Sequence, residues 1–343
     1  MRAPVRVVTG VVAALAVAAS LAACSSDDGD ASGDADLVIY TGRSEEQVGD
    51  LIDRFEEDQD VTVDVRYGDT AELAVQLLEE GDDSPADLFW AQDAGALSAV
   101  DEEGMFSTLP KGVLAKVPEE YQSRDGAWVG TSGRARVFAY NPTLVPQSEL
   151  PESVFDLTEP EWANRVAIAP TNGSFQAFVT AMREAEGDDV AEQWLTDMKA
   201  NGAVAYESNV LILDAVDAGE IDLGLINHYY WYQKAAEVGE DQVTAEIDFF
   251  EPGDPGSLVN VAGAGVLTSG EDNPLATEFV KFLLSPESQE YFVEVDKEYP
   301  LIDGVAPQEG LPPLAELQGP QVELYELADL EGTLQMLTET GWI

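Results

Sequence analysis

Apolar residues follow two different spacings between residue 36 and about residue 100. Short apolar or alternating runs, which are typical of strands, are separated by stretches in which apolar residues recur every three or four positions, as Val48, Leu51 and Phe55 do. Strands are predicted at 37–40, 61–65 and 87–90, and helices at 45–57, 70–80 and 94–100. This βαβαβ order indicates a parallel sheet with helices on both faces.

The same alternation starts again further along the chain. Strands are predicted at 166–168, 204–206 and 221–226, and helices at 175–186, 190–200 and 209–218, with another helix from about 231. Two apolar segments, 137–140 and 258–262, are interpreted as strands that cross between two lobes, and the carboxyl-terminal part is predicted to be mostly helical, at 274–284 and 286–295. The fold class that this pattern predicts is α/β.

The amino terminus is predicted to be a signal peptide. A short basic region with Arg2 and Arg6 precedes an apolar run at 7–19, which is too short for a confident membrane span. The following Leu-Ala-Ala-Cys at 21–24 resembles the lipobox of bacterial lipoproteins, which predicts a signal peptide at 1–23 and lipid attachment at Cys24. An ordinary signal peptide with an incidental cysteine is the alternative. Residues 24–35 are small, polar and acidic, as expected of a flexible tether.

The overall composition limits the partners of the chain. Lys and Arg number 16 against 67 Asp and Glu, which gives a formal net charge of -51 and argues against binding to nucleic acid or to anionic membrane surfaces. Adaptation to salt or simple solubility explains this acidity, so it is weak support for a cation ligand. One cysteine excludes an internal disulfide, and a chain that is 45% hydrophobic can bury the cores of two domains.

Two adjacent tyrosines, Tyr229 and Tyr230, carry the most specific chemistry. They follow a predicted strand and precede a predicted helix, and at such a turn both side chains can face one pocket. A phenolate is a hard oxygen donor, and because an ordinary phenol has a pKa of about 10, only a strongly acidic metal ion ionises it at neutral pH. Ferric iron is the biological candidate. The alternative is that both are core aromatics.

Six segments together resemble the ferric-ion substrate-binding proteins of bacterial ABC transporters, in the same order and over about residues 36 to 305. They are Ser-Pro-Ala-Asp-Leu-Phe at 84–89, Gly-Arg-Ala-Arg at 133–136, Pro-Thr-Asn-Gly-Ser-Phe at 170–175, Gly-Glu-Ile-Asp at 219–222, Asn-His-Tyr-Tyr-Trp at 227–231 and Glu-Tyr-Pro-Leu at 298–301. The resemblance implies a type II periplasmic-binding-protein fold of two lobes, each a mostly parallel sheet flanked by helices, joined by a strand hinge. The expected boundaries are 36–136 for the first lobe, 137–260 for the second, and 261–343 for the return to the first lobe.

The resemblance also implies a metal site, with two departures from the family pattern. Tyr229 and Tyr230 match the family's iron ligands. Ser44 stands where well-known members carry a histidine ligand, and Gln92 stands where they carry a glutamate. The remaining coordination is expected from Asp93, Gln92, water or a synergistic anion such as carbonate, phosphate or citrate. Asp93 has an alternative role as the cap of the following helix.

The expected anion site combines helix starts with the scarce cations of the chain. Amino-terminal N–H groups of helices attract negative charge, and an arginine can bind an oxyanion through two parallel hydrogen bonds. The alternative for each arginine is an ordinary salt bridge. The residues expected to hold the anion are Arg43, Ser44, Arg134, Arg136, Asn172, Gly173, Ser174, Asn209 and Asn227.

These features predict a receptor, not an enzyme. The expected protein is a monomer, lipid-anchored at Cys24 to the outer face of the cytoplasmic membrane, that captures ferric iron with an anion and delivers it to an ABC permease and, through the permease, to its ATPase subunits. The alternative is a receptor for an anionic organic ligand, such as a phosphonate or an iron–citrate chelate. No cysteine nucleophile, zinc motif or phosphate-binding glycine loop indicates catalysis, and His228 is the only histidine.

Overall fold

A computed structural model describes residues 35–343 of the chain. The predicted signal peptide, Cys24 and nearly all of the predicted tether lie outside the described residues. The strands are β1 Leu37–Thr41, β2 Val63–Tyr67, β3 Leu88–Ala91, β4 Trp128–Tyr140, β5 Val166–Ile168, β6 Val204–Ala205, β7 Leu223–Asn227, β8 Glu246–Asp248 and β9 Val259–Val266. The helices are α1 Glu45–Gln59, α2 Thr70–Glu80, α3 Ala94–Glu102, α4 Lys111–Leu114, α5 Gly173–Glu186, α6 Asp188–Ala200, α7 Asn209–Asp217, α8 His228–Val238, α9 Pro274–Leu283, α10 Pro286–Tyr291 and α11 Leu330–Glu339.

One long strand connects two groups of parallel strands. The strand order is β2-β1-β3-β9-β4-β7-β5-β6, with β8 paired to β4. Strand β4 is 13 residues long and buried throughout; its residues 128–135 pair antiparallel with β9, whereas 136–140 pair antiparallel with β7. The first group, β1 to β3, is parallel, and so is the second, β5 to β7. The predicted crossing at 137–140 is therefore the second half of β4, and the segment 258–262 enters β9.

Separate aromatic clusters fill the core on the two sides of β4. On one side, Trp90 meets Phe279 and Phe292 edge to face, with ring centroids 5.8 and 6.2 Å apart. On the other side, Phe178 meets Trp194 edge to face at 5.5 Å. Aromatic rings contribute large buried areas and favour this edge-to-face geometry, so each group of strands has its own anchor for the covering helices.

Polar residues at the carboxyl ends of strands begin the helices that reach the site. Asp69 accepts hydrogen bonds from the first-turn N–H groups of α2, Asp93 accepts one from Ala96 in α3, and Asn172 accepts one from Ser174 in α5. Such caps satisfy N–H groups that have no partner within the helix. The same short side chains that end the strands therefore fix where these helices start.

The end of the chain touches helices from both groups. The short turn Leu324–Ala328 packs on α3, where the backbone oxygen of Leu327 lies so close to Gly95 that an added Cβ would be 2.6 Å from it. Helix α11 packs on α5, and the hydroxyls of Thr180 and Thr333 are hydrogen bonded at 2.7 Å. The lobe boundaries at 36–136, 137–260 and 261–343 stay predictions, although α11 contacts a helix from the predicted second lobe.

Two element boundaries differ from the sequence prediction in a way that affects the site. Strand β7 continues to Asn227, and α8 begins at His228 instead of near residue 231. Tyr229 and Tyr230 therefore occupy the first turn of a helix. Within residues 35–343, no helix is both long and apolar enough to cross a membrane.

The turn after β9 gives a stability test. Gly270 lies against the chain leading into β3, where an added Cβ would be 2.4 Å from the backbone atoms of Asp87. Because backbone cannot move aside as a side chain can, we expect Gly270→Ala to lower the free energy of unfolding by about 1–3 kcal/mol. Gly112→Ala is the matched control, since a Cβ at Gly112 meets nothing within 4 Å. Denaturant unfolding of both variants checks this, and equal stability would contradict the close contact.

Candidate metal and anion site

A cleft of about 600 Å³ opens beside the junction of β3, β4 and β7. Its walls come from α2 and α3 on one side and from α5 and the start of α8 on the other, and the segment containing Leu327 and Leu330 lies at its edge. Predicted site residues that line it are Gln92, Asp93, Arg134, Arg136, Asn172, Gly173, Ser174, Asn227, Tyr229 and Tyr230. The fold thus brings most of the predicted site residues to one place.

Tyr229 and Tyr230 lie side by side on this cleft. Their ring centroids are 4.2 Å apart and the ring planes differ by 36°. Tyr229 is buried, and burial together with the neighbouring Tyr230 raises the pKa of its phenol well above the ordinary value, although Arg134 acts in the opposite direction. The Tyr229 phenol of the unliganded protein is therefore protonated at neutral pH. The first turn of α8 carries the partial positive charge of a helix start, which favours a phenolate when one forms.

His228 lies behind the tyrosines as a core side chain. It is fully buried, its Nδ1 accepts a hydrogen bond from the Ala135 N–H at 3.2 Å, and its ring is 4.8 Å from that of Tyr299. Burial lowers the pKa of His228 to about 4, so the imidazole is neutral at neutral pH. His228 is not among the residues that line the cleft.

Arg134 and Arg136 bring buried positive charge to the cleft. They are two residues apart on β4, and each is less than a tenth exposed. The Nη1 of Arg136 donates to Ser174 Oγ at 3.2 Å and to Asn227 Oδ1 at 3.3 Å, whereas its Nη2 has no partner among residues 35–343. Burial lowers the pKa of Arg136 to about 10, which leaves it charged at neutral pH.

Neither cleft arginine forms an ion pair with a carboxylate of the described chain. The ion pairs found within residues 35–343 do not include Arg134 or Arg136, and the Arg134 Nε lacks a hydrogen-bond partner there. A buried cation with free donors is costly unless a ligand satisfies it. The arrangement therefore suits an oxyanion.

The amide and hydroxyl groups at the start of α5 form a connected cluster. Asn172 Oδ1 accepts from Ser174 Oγ at 2.6 Å and from Asn209 Nδ2 at 3.0 Å. Asn209 is fully buried and does not line the cleft, so it holds Asn172 in place from behind. Gly173 has open space where a Cβ would be, which leaves room for a ligand near the first N–H groups of α5.

Arg43 and Ser44 were expected at the anion site, and the structure places both elsewhere. Arg43 is fully buried in an ion pair with Asp296 at 2.6 Å and Glu298 at 2.9 Å. Ser44 is exposed at the start of α1, where its N–H donates to Gln47 Oε1 at 3.2 Å. The salt-bridge alternative therefore describes Arg43, and neither residue reaches the cleft.

The buried acids that hold Arg43 are the functional residues that sequence reasoning missed. Asp296 and Glu298 lie more than 250 positions from Arg43, so no local spacing pairs them. Although burial acts to raise the pKa of Glu298, Arg43 and Arg134 hold it below its usual value. The recognisable Glu-Tyr-Pro-Leu at 298–301 was the available signal.

Gln92 and Asp93 line the cleft but already have protein partners. Gln92 Oε1 accepts from Arg43 Nη1 at 3.0 Å, and Asp93 Oδ1 accepts from the Ala96 N–H at 3.0 Å, as a helix cap does. Within residues 35–343, no group of three or more His, Cys, Asp or Glu side chains is arranged to hold a metal ion.

Comparison with known proteins places this site in a family. The sequence model of the bacterial extracellular solute-binding protein family matches residues 83–318. The Fe(3+)-binding periplasmic protein of Serratia marcescens is 36% identical over 312 residues, which are 91% of this chain and 92% of that protein.

Solved structures agree with that match. Iron-bound HitA from Pseudomonas aeruginosa superposes with a TM-score of 0.82 at 35% identity, covering 89% of this chain and 99% of HitA. Trichodesmium IdiA (FutA), in complex with iron and citrate, superposes with a TM-score of 0.79 at 28% identity, covering 90% of this chain and 99% of that protein. The predicted type II periplasmic-binding-protein fold is confirmed. The chain belongs to the family of bacterial extracellular solute-binding proteins.

Proposed function

We propose that this protein captures ferric iron, together with a synergistic oxyanion, and delivers the iron to the permease of an ABC importer. The observation that carries the proposal is the pairing of Tyr229 and Tyr230 with two buried arginines in one cleft. Phenolates are hard donors for a trivalent cation, and free guanidinium donors suit an anion. The Serratia marcescens relative is named for Fe(3+) binding, and the Trichodesmium neighbour holds iron and citrate.

Charge balance explains why an anion accompanies the metal. A ferric ion bound by two phenolates keeps one positive charge, and Arg134 and Arg136 add two more, so the three positive charges exceed the two carboxylates that line the cleft, Asp69 and Asp93. Buried charges of one sign repel one another strongly, so an unbalanced site would bind weakly. Carbonate, phosphate or citrate supplies both the missing negative charge and the missing oxygen ligands.

The proposed anion contacts are the groups that already face the cleft. Arg134 and Arg136 offer donors, and the first N–H groups of α5 beside Asn172 and Gly173 offer more, whereas the Ser174 hydroxyl, which donates to Asn172 Oδ1, offers its oxygen as an acceptor. Asn209 and Asn227 act as supports, since Asn209 bonds to Asn172 and Asn227 accepts from Arg136. Asp93 stays in the proposal as a candidate metal ligand, because it lines the cleft next to Gln92, although its Oδ1 accepts a hydrogen bond from the Ala96 N–H.

The receptor role follows from the family and from the placement of the cleft. A cleft bordered by two groups of strands that share β4 can close on a ligand when the groups rotate about that strand. We place the protein outside the cytoplasm as a monomer, anchored through Cys24 to the outer face of the cytoplasmic membrane. Its partners are then a permease and, through it, ATPase subunits. Solute binding is the activity that the family description supports, and the proposed protein is a receptor and not an enzyme.

A receptor for an anionic organic ligand is the second candidate. The two arginines with unpartnered donors in a cleft of about 600 Å³ favour it, because they recognise an anion whether or not a metal is bound. A phosphonate or an intact iron–citrate chelate fits this description. A phosphonate gives no role to the tyrosine pair, whereas an iron–citrate chelate does. A measurement of metal binding therefore distinguishes a phosphonate receptor from a receptor for iron.

Removing either phenol tests the metal site. We expect Tyr229→Phe and Tyr230→Phe each to weaken ferric iron binding by at least about 100-fold, because loss of a direct ligand should exceed the 10–100-fold typical of supporting residues. Competition with a coloured or fluorescent chelator measures the affinity. Tyr232→Phe is the matched control, since Tyr232 lies on the same helix and does not line the cleft. Unchanged affinity in both site variants would make the pair structural.

The raised pKa of the Tyr229 phenol predicts that iron binding releases protons. The phenol is protonated in the free protein and must be a phenolate when it binds the metal, so affinity falls as pH falls, by up to about tenfold per pH unit for each proton released. The amount of base needed to keep the pH constant during an iron titration in weakly buffered solution gives the number of protons released. Tyr229→Phe should release one fewer, and an equal count in variant and wild type would contradict phenolate ligation by Tyr229.

A further inference from the structure

The hydrogen bond from Arg43 determines which atom of the Gln92 side-chain amide points toward it. It lies between the end of β3 and the start of α3, and its backbone N–H donates to Thr70 Oγ1 at 3.2 Å. Its side-chain Oε1 accepts from Arg43 Nη1 at 3.0 Å. A guanidinium only donates hydrogen bonds, so the atom that faces Arg43 is the amide oxygen and not the amide nitrogen.

The amide nitrogen of Gln92 is consequently left for the cleft. Gln92 is half-buried and lines the cleft, and no acceptor for its Nε2 is found among residues 35–343. With its oxygen hydrogen bonded to the charged Arg43, the amide has Nε2 as its unpartnered polar atom, and that atom offers N–H donors to a ligand. Such a group recognises an acceptor, which is the property of an anion and not of a metal ion.

Arg43 makes the opposite orientation unfavourable. It is fully buried and carries a permanent charge, with Asp296 and Glu298 as its ion-pair partners. A metal ion bound through Gln92 Oε1 would bring a trivalent cation next to the buried guanidinium that donates to the same oxygen. Repulsion between these close cations opposes metal ligation by Gln92.

The ion cluster of Arg43, Asp296 and Glu298 explains why residue 92 carries an amide and not a carboxylate. A glutamate at 92 would be a third carboxylate around Arg43, after Asp296 and Glu298. Asp296 and Glu298 already share the one guanidinium of Arg43, so a third carboxylate there would meet two like charges. A neutral amide keeps the hydrogen bond to Arg43 and adds no charge.

We infer that Gln92 is a specificity-determining donor to the oxyanion that accompanies iron, and that it is not a metal ligand. This inference rests on the proposed function. It adds the Gln92 amide, on the α3 side of the cleft, to the anion contacts proposed on β4 and at the start of α5, and leaves the two tyrosines as the principal protein ligands of the metal. The ligand class is a small oxyanion with several acceptor oxygens, such as carbonate or a polycarboxylate.

Two substitutions separate donor from ligand, because a donor role requires both to weaken citrate binding, whereas a ligand role requires Gln92→Glu to tighten iron binding. The probes are citrate alone, titrated calorimetrically into iron-free protein, and ferric citrate, followed by the tyrosinate colour, both with the full chain purified in detergent. We expect Gln92→Met, which removes the donor, to weaken citrate binding by about tenfold or more, and Gln92→Glu, which adds repulsion, to weaken it at least as much. Gln335→Met and Gln335→Glu, on the exposed face of α11, are the matched controls.

The outcomes distinguish this inference from the proposed function. Tighter iron binding by Gln92→Glu, or citrate binding that Gln92→Met leaves unchanged, would overturn the donor role. If the wild type itself gives no tyrosinate colour with iron, the proposed function fails instead. Should either variant unfold, nitrogen-15 NMR of the wild type decides: the Gln92 side-chain amide resonance shifts when citrate is added if it donates to the anion, and stays in place if it does not.

Discussion

The site depends on positive charge that the protein itself leaves unpaired. In a chain with 67 acidic and 16 basic residues, nearly every cation could find a carboxylate, yet Arg134 and Arg136 lie buried without one among residues 35–343. Both project from β4, which pairs with β7 of the second group and connects to the first group through β9. The strand between the two halves of the sheet therefore also carries the charge that a ligand must satisfy.

Arg43 shows the contrast between a structural and a functional arginine. Asp296 and Glu298 hold it from a distant part of the chain, and Ser132 donates to Glu298 as well. Breaking such a buried ion pair leaves an uncompensated charge. The cluster therefore holds the segment that contains Asp296 and Glu298 against the turn after β1. Its effect on the cleft is indirect. Arg43 donates a hydrogen bond to the amide oxygen of Gln92, so the amide nitrogen is the atom that we infer binds the anion.

Much of this account could be predicted from local sequence. The alternation of spacings gave the α/β order, α2 begins and ends where predicted, and Asn172-Gly173-Ser174 does begin a helix. The start of α8 was missed because aromatic residues at 229–231 suit strand, turn and helix alike, and only packing against β4 decides. The partners of Arg43 and the contact of α11 with α5 are long-range contacts, which no short pattern reports.

The most direct test of the central claim is the ratio of anion to iron in the loaded protein. Protein equilibrated with ferric citrate at neutral pH is dialysed, and its visible absorption, iron and labelled citrate are measured together. The account predicts a broad band between roughly 400 and 500 nm from iron-bound tyrosinate, with about one anion retained per iron. Iron retained with the band but without citrate, carbonate or another anion would contradict the role of Arg134 and Arg136, and a colourless protein would contradict the tyrosine site.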